Sequence, residues 1–303
     1  MTKNSLIEND GLGIGFGEPI VIHNLPVDEM LVSGLVAFFE EPHFLSDLDP
    51  FSLGYRSTLA SYNKIISKGA KPFCVQASIS LPEMDDSWLE QFFAGSRECC
   101  SIYGGELLSY NFCIGKCAIT LNSCGTLKKD LYSAASSITA GDLIFVTGSL
   151  GDASLAKDRV HQGIPNDDTV TKYLLNRLLR PIIDLDFSLA LKSIITSSTD
   201  ISSGIAVDIN KLFIGSNLGA DISVLDIPIS EQMKTIIEIN AAYSYALTGL
   251  DDYELCFTIN PDNELELAKL AQEHECKITQ IGVVAAEGGV NFIDQNGSPI
   301  NLG

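Results

Sequence analysis

The sequence predicts a two-domain protein of the α/β (α+β) class. Its 303 residues exceed the usual size of a single domain, and 46% of them are hydrophobic, which is enough for two separate cores. Strand-like and helix-like segments are mixed in both halves, so neither an all-helical nor an all-strand fold is expected. We expect an amino-terminal domain over residues 1–132 and a carboxy-terminal domain over residues 133–303.

In the amino-terminal half, alternating or continuous apolar runs predict strands at 19–27, 30–39, 73–81 and 113–121. A helix is predicted over 52–68, because Leu53, Leu59 and Ile65 recur at helical spacing and Gly69 is a suitable stop. A second helix is predicted to begin at Pro82, because proline is favoured in the first helical turn.

In the carboxy-terminal half, the compact apolar run 142–147 predicts a strand, followed by a turn over 148–151. Helices are expected at 168–178, 187–193, 204–215 and 264–273, and strands at 255–259 and 277–284. This half therefore also mixes the two kinds of element.

The composition excludes several classes of function. The formal net charge of −20 disfavours nucleic-acid binding, which requires clustered Lys and Arg. No apolar stretch is long enough to cross a membrane, and the first residues do not resemble a signal peptide. We therefore expect a cytoplasmic protein whose eight cysteines are reduced, buried thiols. None of them has the spacing of a metal site.

Two strings carry the most specific information. Residues 141–152 read GDLIFVTGSLGD, a strand that ends in a glycine turn, and residues 249–258 read GLDDYELCFT. Together with Gly13-Ile-Gly15, His43-Phe44 and Gly104-Gly105, this ordered set resembles the thiamine-monophosphate kinase family of the aminoimidazole-ribonucleotide-synthetase-like superfamily. The resemblance covers roughly residues 10 to 300.

The resemblance implies a fold, a reaction and a site. Members of the family transfer a phosphoryl group from ATP to thiamine monophosphate with the help of Mg²⁺, and phosphoryl transfer depends on charge neutralisation by metal ions. The amino-terminal domains of two chains are expected to form a dimeric sheet or barrel. The nucleotide or phosphate loops are expected to include these residues: Gly13, Gly15, Gly104, Gly105, Gly148, Gly151 and Asp152.

This chain departs from the family pattern at the acids expected to bind magnesium. The motif Gly-Ile-Gly-Asp-Asp continues here as Phe16-Gly17, and a strand Asp falls at about Val36. An Asp in a helix becomes Lys64, whose ammonium would repel a divalent cation or bind a phosphate, unless it lies on a solvated helix face. The second acid of Asp-Ile-Ser-Asp-Gly becomes Ser203.

Some acids of the expected cleft remain. The family positions that survive are Glu106, Asp200, Ser202 and Asp252, and Glu106 and Asp200 are weak candidates for holding a metal. Glu40 or Glu41 is a possible replacement ligand, but adjacent strand residues point to opposite faces. Trp88, the only tryptophan, is expected to be a core residue rather than a platform for a ligand.

We therefore interpret the chain as a pseudoenzyme of this family that has kept a ligand-binding or partner-binding role, with no cofactor and with a homodimer as the expected assembly. The alternative is an active thiamine-monophosphate kinase that uses ATP and Mg²⁺ at a rearranged metal site. A third hypothesis, new chemistry in the old cleft through a cysteine or lysine, has no supporting spacing of catalytic residues.

Overall fold

The computed structural model describes residues 25–40, 43–44, 48–134, 138–164, 168–294 and 297–300. The predicted strand at 19–27 falls mostly outside these residues. The following predicted residues lie entirely outside them: Gly13, Gly15, Phe16, Gly17 and Glu41. The chain forms two compact units, one over 1–66 and 70–129, the other over 67–69 and 130–303. The boundary expected between residues 132 and 133 stays a prediction about independently folding domains.

The first unit is a four-stranded sheet with two helices. Its elements are β1 (Glu29–Phe39), α1 (Pro50–Ile66), β2 (Lys71–Leu81), α2 (Asp86–Tyr103), β3 (Glu106–Ile114) and β4 (Ala118–Lys128). The strand order is β1-β4-β2-β3, with β2 and β3 parallel and the other pairs antiparallel. The helices touch each other closely, because a Cβ on Gly54 would collide with the carbonyl oxygen of Phe92 and one on Gly95 with that of Phe51.

Two predictions for this unit are wrong. The strand expected over 113–121 is the end of β3, a turn and the start of β4, because Gly115 begins the turn and its amide donates to the carbonyl of Leu81. The second helix does not begin at Pro82. Asp85 caps it instead, since its carboxylate accepts a hydrogen bond from the amide of Trp88 at 2.9 Å.

The second unit is a six-stranded sheet with helices. Its strands are β5 (Leu143–Thr147), β6 (Ile195–Ile201), β7 (Gly219–Ser223), β8 (Glu254–Ile259), β9 (Ile278–Ala285) and β10 (Val290–Ile293). They lie in the order β10-β7-β9-β5-β8-β6, and only β10 and β7 are parallel among these neighbours. Its helices are α3 (Lys129–Ala134), α4 (Asp152–His161), α5 (Thr169–Leu179), α6 (Leu185–Ala190), α7 (Ile205–Asp208), α8 (Glu231–Ile236), α9 (Ile239–Thr248) and α10 (Glu264–Glu273).

This sheet separates two hydrophobic cores. Ile144 and Val146 of β5 pack into the larger core, whereas Phe145 between them packs with Phe257 into the smaller one. Successive strand residues point to opposite faces, so a short, continuously apolar strand serves both cores. The helices expected at 187–193 and 204–215 are shorter, because each α-helix passes into a 3₁₀ turn, at Leu191–Ser193 and Ile209–Phe213. Over the described residues, no helix has the length and apolar character needed to cross a bilayer.

Candidate functional site

Within the second unit, the glycine turn 148–151 meets the segment that leads into β8. The amide of Gly151, at the start of α4, donates to both carboxylate oxygens of Asp252 at 2.9 Å. The amides of Gly148 and Leu150 donate to the carbonyls of Lys277 and Pro228 at 2.9 and 3.0 Å. Gly148 and Gly151 both have positive φ, at 59° and 89°, a backbone conformation that glycine adopts without strain.

These hydrogen bonds bear on the expected phosphate loop. A loop that binds phosphate presents unpaired amides to the anion. Here three of the four turn amides already donate to the protein, and the anion at the start of α4 is the carboxylate of Asp252. A phosphate role for Gly148 and Gly151 stays a prediction, and these bonds argue against it.

Arg177 of α5 lies at the centre of a buried cluster of acids in the second unit. Its Nη2 atom is 2.7 Å from Oε1 of Glu254 and donates to the carbonyl of Ser149 at 3.1 Å. Its Nε atom is 3.7 Å from Oδ2 of Asp152, whose side chain is fully buried. Asp252 is also buried, with 2% of its surface exposed. One guanidinium therefore faces three carboxylates.

Hydroxyl groups satisfy the remaining oxygens of this acid cluster. Asp152 accepts hydrogen bonds from Ser149 at 2.7 Å, from Ser230 at 2.5 Å and from Tyr173 at 3.3 Å. Glu254 accepts one from Thr147 at 2.5 Å. Buried charges persist in proteins when they are paired and hydrogen-bonded in this way.

The cluster shifts the pKa values of its members. Burial raises the pKa of Asp252 well above its usual range, against the lowering effect of the Gly151 amide and of Arg177. The pKa of Arg177 is also raised: burial opposes its charge, but Glu254, Asp252 and Asp152 together outweigh that effect. The cluster thus holds a permanent cation and at least one acid that binds a proton more readily than in water.

Asp208, outside the acid cluster, holds the turn at Asp200–Gly204 in place. Oδ2 of Asp208 accepts the amides of Ser202 and Ser203 at 2.7 and 2.6 Å, and its Oδ1 accepts Nζ of Lys211 at 2.5 Å. Asp208 is fully buried, and Asp200 is 4% exposed. The turn that contains Ser203 is therefore held by a carboxylate from α7.

The segment 251–253, which is hydrogen-bonded to the turn at Asp200–Gly204, has a strained backbone. Asp251 and Tyr253, neither of them glycine, have φ values of 69° and 54°. Their amides donate to the carbonyls of Ser202 at 3.0 Å and Ile201 at 2.8 Å, and these bonds hold the two turns side by side. Such left-handed residues cost on the order of 1–3 kcal/mol each and are concentrated at functional sites.

The predicted site residues of the first unit lie near the end of α1 and at the start of β3. Lys64 is half-buried near the end of α1, and a Cβ on Gly34 of β1 would fall 2.9 Å from its Cβ. Gly104 and Gly105 both have positive φ, and a Cβ on Gly105 would fall 2.8 Å from the hydroxyl of Tyr62. Glu106, exposed at the start of β3, pairs with Cys74 of β2. Lys64 is thus partly exposed, and its role at a phosphate or on a solvated helix face stays a prediction.

The first unit also contains a cavity of about 230 Å³ with an acidic and aromatic lining. Trp88 lines it while stacking on Phe92, with ring centroids 5.3 Å apart. The tryptophan is only half-buried, so it is not the core residue that the sequence suggested. The other lining residues are Glu40, Phe44, Leu48, Leu53, Leu81, Pro82, Glu83, Asp85 and Cys117.

The structure brings Gly148, Gly151, Asp152, Ser202 and Asp252 together in the second unit. Sequence reasoning missed their partners: Arg177, Glu254 and Asp208. Glu254 is part of the string 249–258 that the sequence analysis singled out. Arg177 and Asp208 had no local signal, because Arg177 contacts a turn that is distant in the sequence and Asp208 contacts the turn that precedes its own helix. Among the described residues, no three His, Cys, Asp or Glu side chains are grouped as ligands for a metal ion.

Comparison with known proteins identifies the protein family to which these two domains belong. The model of the AIR synthase related protein C-terminal domain matches residues 139–295, and that of the N-terminal domain matches residues 18–126. The chain therefore belongs to the AIR synthase related family. Within that family it groups with the thiamine-monophosphate kinases, as the sequence resemblance predicted.

Individual relatives agree with this assignment. The chain is 29% identical to the thiamine-monophosphate kinase of Buchnera aphidicola subsp. Acyrthosiphon pisum, covering 92% of this chain and 87% of that one. It is 28% identical to the Salmonella typhimurium enzyme, covering 95% and 89%. The crystal structure of thiamine-monophosphate kinase from Stenotrophomonas maltophilia superposes with a TM-score of 0.86 at 26% identity, covering 97% of this chain and 93% of that one. The expected mixed α/β, two-domain fold is confirmed.

Proposed function

We propose that this chain is a diverged member of the thiamine-monophosphate kinase family that has lost magnesium-dependent phosphoryl transfer and has kept a binding role. One observation carries the proposal. The buried acids that remain near the site turns of the second unit already bond to protein donors: Asp152 to three hydroxyls, Asp252 to an amide, Glu254 to Arg177 and Asp208 to Lys211.

The chemistry of magnesium makes this observation relevant. Mg²⁺ requires six oxygen ligands in octahedral geometry and is usually held by carboxylates together with substrate phosphates. A carboxylate that already accepts hydrogen bonds from protein groups has fewer lone pairs left for a metal ion. The first unit adds Lys64, a cation, at a helix position where the family has an acid. Both facts oppose the assembly of a magnesium site.

Calorimetric titration with a non-hydrolysable ATP analogue, with and without Mg²⁺, tests the loss of activity. The Salmonella typhimurium relative serves as the positive control. We expect no magnesium-dependent binding, and no thiamine diphosphate from ATP and thiamine monophosphate. Tight magnesium-dependent binding followed by turnover would establish the alternative, an active kinase with a rearranged metal site at residues such as Glu106, Asp200 or Glu40.

The cavity of the first unit is our proposed location for the retained binding role. Glu40, Glu83 and Asp85 surround it with negative charge, and Trp88 and Phe44 supply aromatic surface. Carboxylates and aromatic faces together attract organic cations. Its volume of about 230 Å³ accommodates a single heteroaromatic ring with its substituents. The relatives act on thiamine monophosphate, and its thiazolium ring is a cation of this kind. We therefore propose that the thiazolium ring of thiamine, without its phosphate, binds in this cavity.

Trp88 provides the test, because it is the only tryptophan and its fluorescence reports on this cavity. Thiamine is expected to quench this fluorescence, and thiamine monophosphate is expected to bind more weakly because the acidic lining repels its phosphate. Glu83→Gln should weaken binding several-fold, whereas Glu90→Gln, on α2 near Trp88 but outside the lining, should not. An unchanged fluorescence, or tighter binding of the monophosphate, would contradict this assignment.

We also propose that the chain forms a homodimer through the sheet of the first unit. On edge strand β1, the residues with outward-facing side chains include Leu31, Leu35 and Phe39, which are 48%, 68% and 51% exposed. Neighbouring β4 presents Thr120 and Asn122 on the same face. Apolar rows of this kind on a sheet face favour burial against a second surface. Sedimentation equilibrium tests the proposal, with a monomer at micromolar concentration as the contrary result.

A further inference from the structure

Two cysteines of the first unit lie directly opposite each other in its sheet. Cys74 of β2 pairs with Cys124 of β4 in the antiparallel ladder, just after an irregularity in the β2 register. Their thiols are hydrogen-bonded to each other. Neither cysteine forms a disulfide, and both are buried, although 7% of the surface of Cys124 is exposed. The pair therefore lies on neighbouring strands with its side chains close together.

The geometry of the ladder suits a covalent link. Directly opposed residues of antiparallel strands have Cα atoms about 4.5–5.5 Å apart. A disulfide spans Cα separations of about 4.4–6.8 Å. The Cα separation of an antiparallel pair thus falls within the range of Cα separations that a disulfide spans, so a bond between Cys74 and Cys124 could connect the two strands.

The surroundings of the two thiols differ. The hydrogen bond from Cys74, with a smaller contribution from Ser33, lowers the pKa of the Cys124 thiol against the opposing effect of burial. The hydrogen bond with Cys124, together with burial, raises the pKa of Cys74. Thiolates are the attacking species in disulfide exchange. Because Cys124 is the more exposed of the two, we assign it as the attacking group.

We propose that Cys74 and Cys124 form a reversible dithiol–disulfide site whose oxidant is a low-molecular-weight disulfide. The Cys124 thiolate attacks one sulfur of that disulfide, forms a mixed disulfide and releases one small thiolate. Cys74 then loses its proton and attacks the sulfur of Cys124, which releases the second small thiolate. The two cysteines lose two electrons and two protons in total, and the small disulfide is reduced to two thiols.

The other cysteines of this unit are not arranged for the same reaction. Cys99 and Cys100 are adjacent in α2, and a bond between neighbouring residues is strained. Cys100 is in addition held by the hydroxyl of Tyr62 at 3.2 Å. Cys113 and Cys117 lie on either side of the β3–β4 turn, and burial followed by the charge of Glu40 raises the pKa of Cys117 to about 11. The site is therefore specific to one pair, and because Cys124 lies opposite Ser33 on the sheet face that we propose as the dimer interface, the reaction is expected in the monomer.

Peptide mass mapping of the full-length protein tests the proposal. The protein is incubated with oxidised glutathione, the remaining thiols are alkylated, and the linked peptides are identified. We expect a Cys74–Cys124 cross-link as the main product, reversed by dithiothreitol, and a higher urea midpoint for the first unit in the oxidised form, read from Trp88 fluorescence. A folded protein in which glutathione attaches elsewhere, or in which these two residues stay reduced, would overturn the proposal.

Matched variants separate the attacking thiol from its partner. Cys74→Ser should trap glutathione on Cys124 as a stable mixed disulfide, whereas Cys124→Ser should leave Cys74 unmodified. Cys113→Ser, an exposed position on β3, is the control and should cross-link like the wild type. Equal modification of Cys74 in the Cys124→Ser variant would show that the proposed order of attack is wrong. If either serine variant fails to fold, the cross-link in the wild-type protein decides the question alone.

Discussion

Replacing Arg177 with methionine removes the only cation from the acid cluster of the second unit while keeping most of the side-chain volume. The guanidinium is 2.7 Å from Glu254 and 3.7 Å from Asp152, and 17% of the side chain is exposed. Its loss leaves Asp152, Asp252 and Glu254 buried together without a counter-charge. Breaking a buried ion pair in this way costs about 3–5 kcal/mol. We expect a loss of that order in the opening free energy of β5 and β8.

Hydrogen exchange measured by mass spectrometry on peptides from β5 and β8 gives the required local stability. Lys172→Met is the control, because Lys172 is an exposed cation on the same helix and its loss changes the net charge equally. Exposed charges contribute only about 0–1 kcal/mol, so this control should stay close to the wild type.

The effect of Arg177→Met should also depend on pH. The pKa of Asp252 is raised in the folded state, so the folded protein binds this proton more tightly than the unfolded chain. The contribution of Asp252 to stability is therefore fully present below its unfolded pKa and is lost as the pH rises through the folded value. Without Arg177 the folded pKa rises further, and the variant should lose more stability at pH 8 than at pH 5. A loss equal to that of Lys172→Met, or one independent of pH, would refute this account of the cluster.

Two further substitutions test the turn and the sheet face. Gly148→Ala should destabilise the second unit by more than about 1 kcal/mol, because φ is +59° and the new Cβ would collide with the carboxylate of Glu254. Gly163→Ala, with φ +65° and open space around it, isolates the backbone cost, and equal losses in thermal melts would contradict the collision. Leu35→Asp should convert a dimer to monomers in sedimentation experiments, whereas Leu265→Asp, 80% exposed on α10, should not. Similar behaviour of these two variants would reject the sheet face as the interface.

Periodicity located the elements whose signal is local. The strand at 142–147 and the helix at 264–273 were predicted within a residue, because an apolar run and an amphipathic pattern each identify their element without help from the rest of the chain. The prediction of one strand over 113–121 was wrong because both sides of the β3–β4 turn favour strands. Only Gly115 marks the turn between them.

The chemistry of the site was less predictable than the fold. The quoted strings identified Gly151 and Asp252, and the resemblance identified the lost acids. The pairing of Asp252 with the Gly151 amide joins residues 101 positions apart, and Arg177 reaches Glu254 across 77 positions. No periodic pattern encodes such contacts, because they depend on how helices pack against a sheet. The sequence therefore suggested a site with missing ligands, and the structure adds that Asp152, Asp252 and Asp208 have protein partners.

Restoring an acid at position 203 tests this last point directly. Ser203→Asp places a carboxylate at an exposed position of the turn, close in sequence to the buried Asp200 and Asp208. Like-charge repulsion at an exposed site costs about 0.2–1 kcal/mol, so the melting temperature without magnesium should fall by a few degrees at most. Ser216→Asp, exposed on a neighbouring loop, controls for the added charge. Magnesium should not restore the loss, because Asp208 is already bonded to two amides and to Lys211. A rise in melting temperature with Mg²⁺ that exceeds the rise for Ser216→Asp would mean that the magnesium site is one residue from complete, and the chain would have to be treated as a kinase.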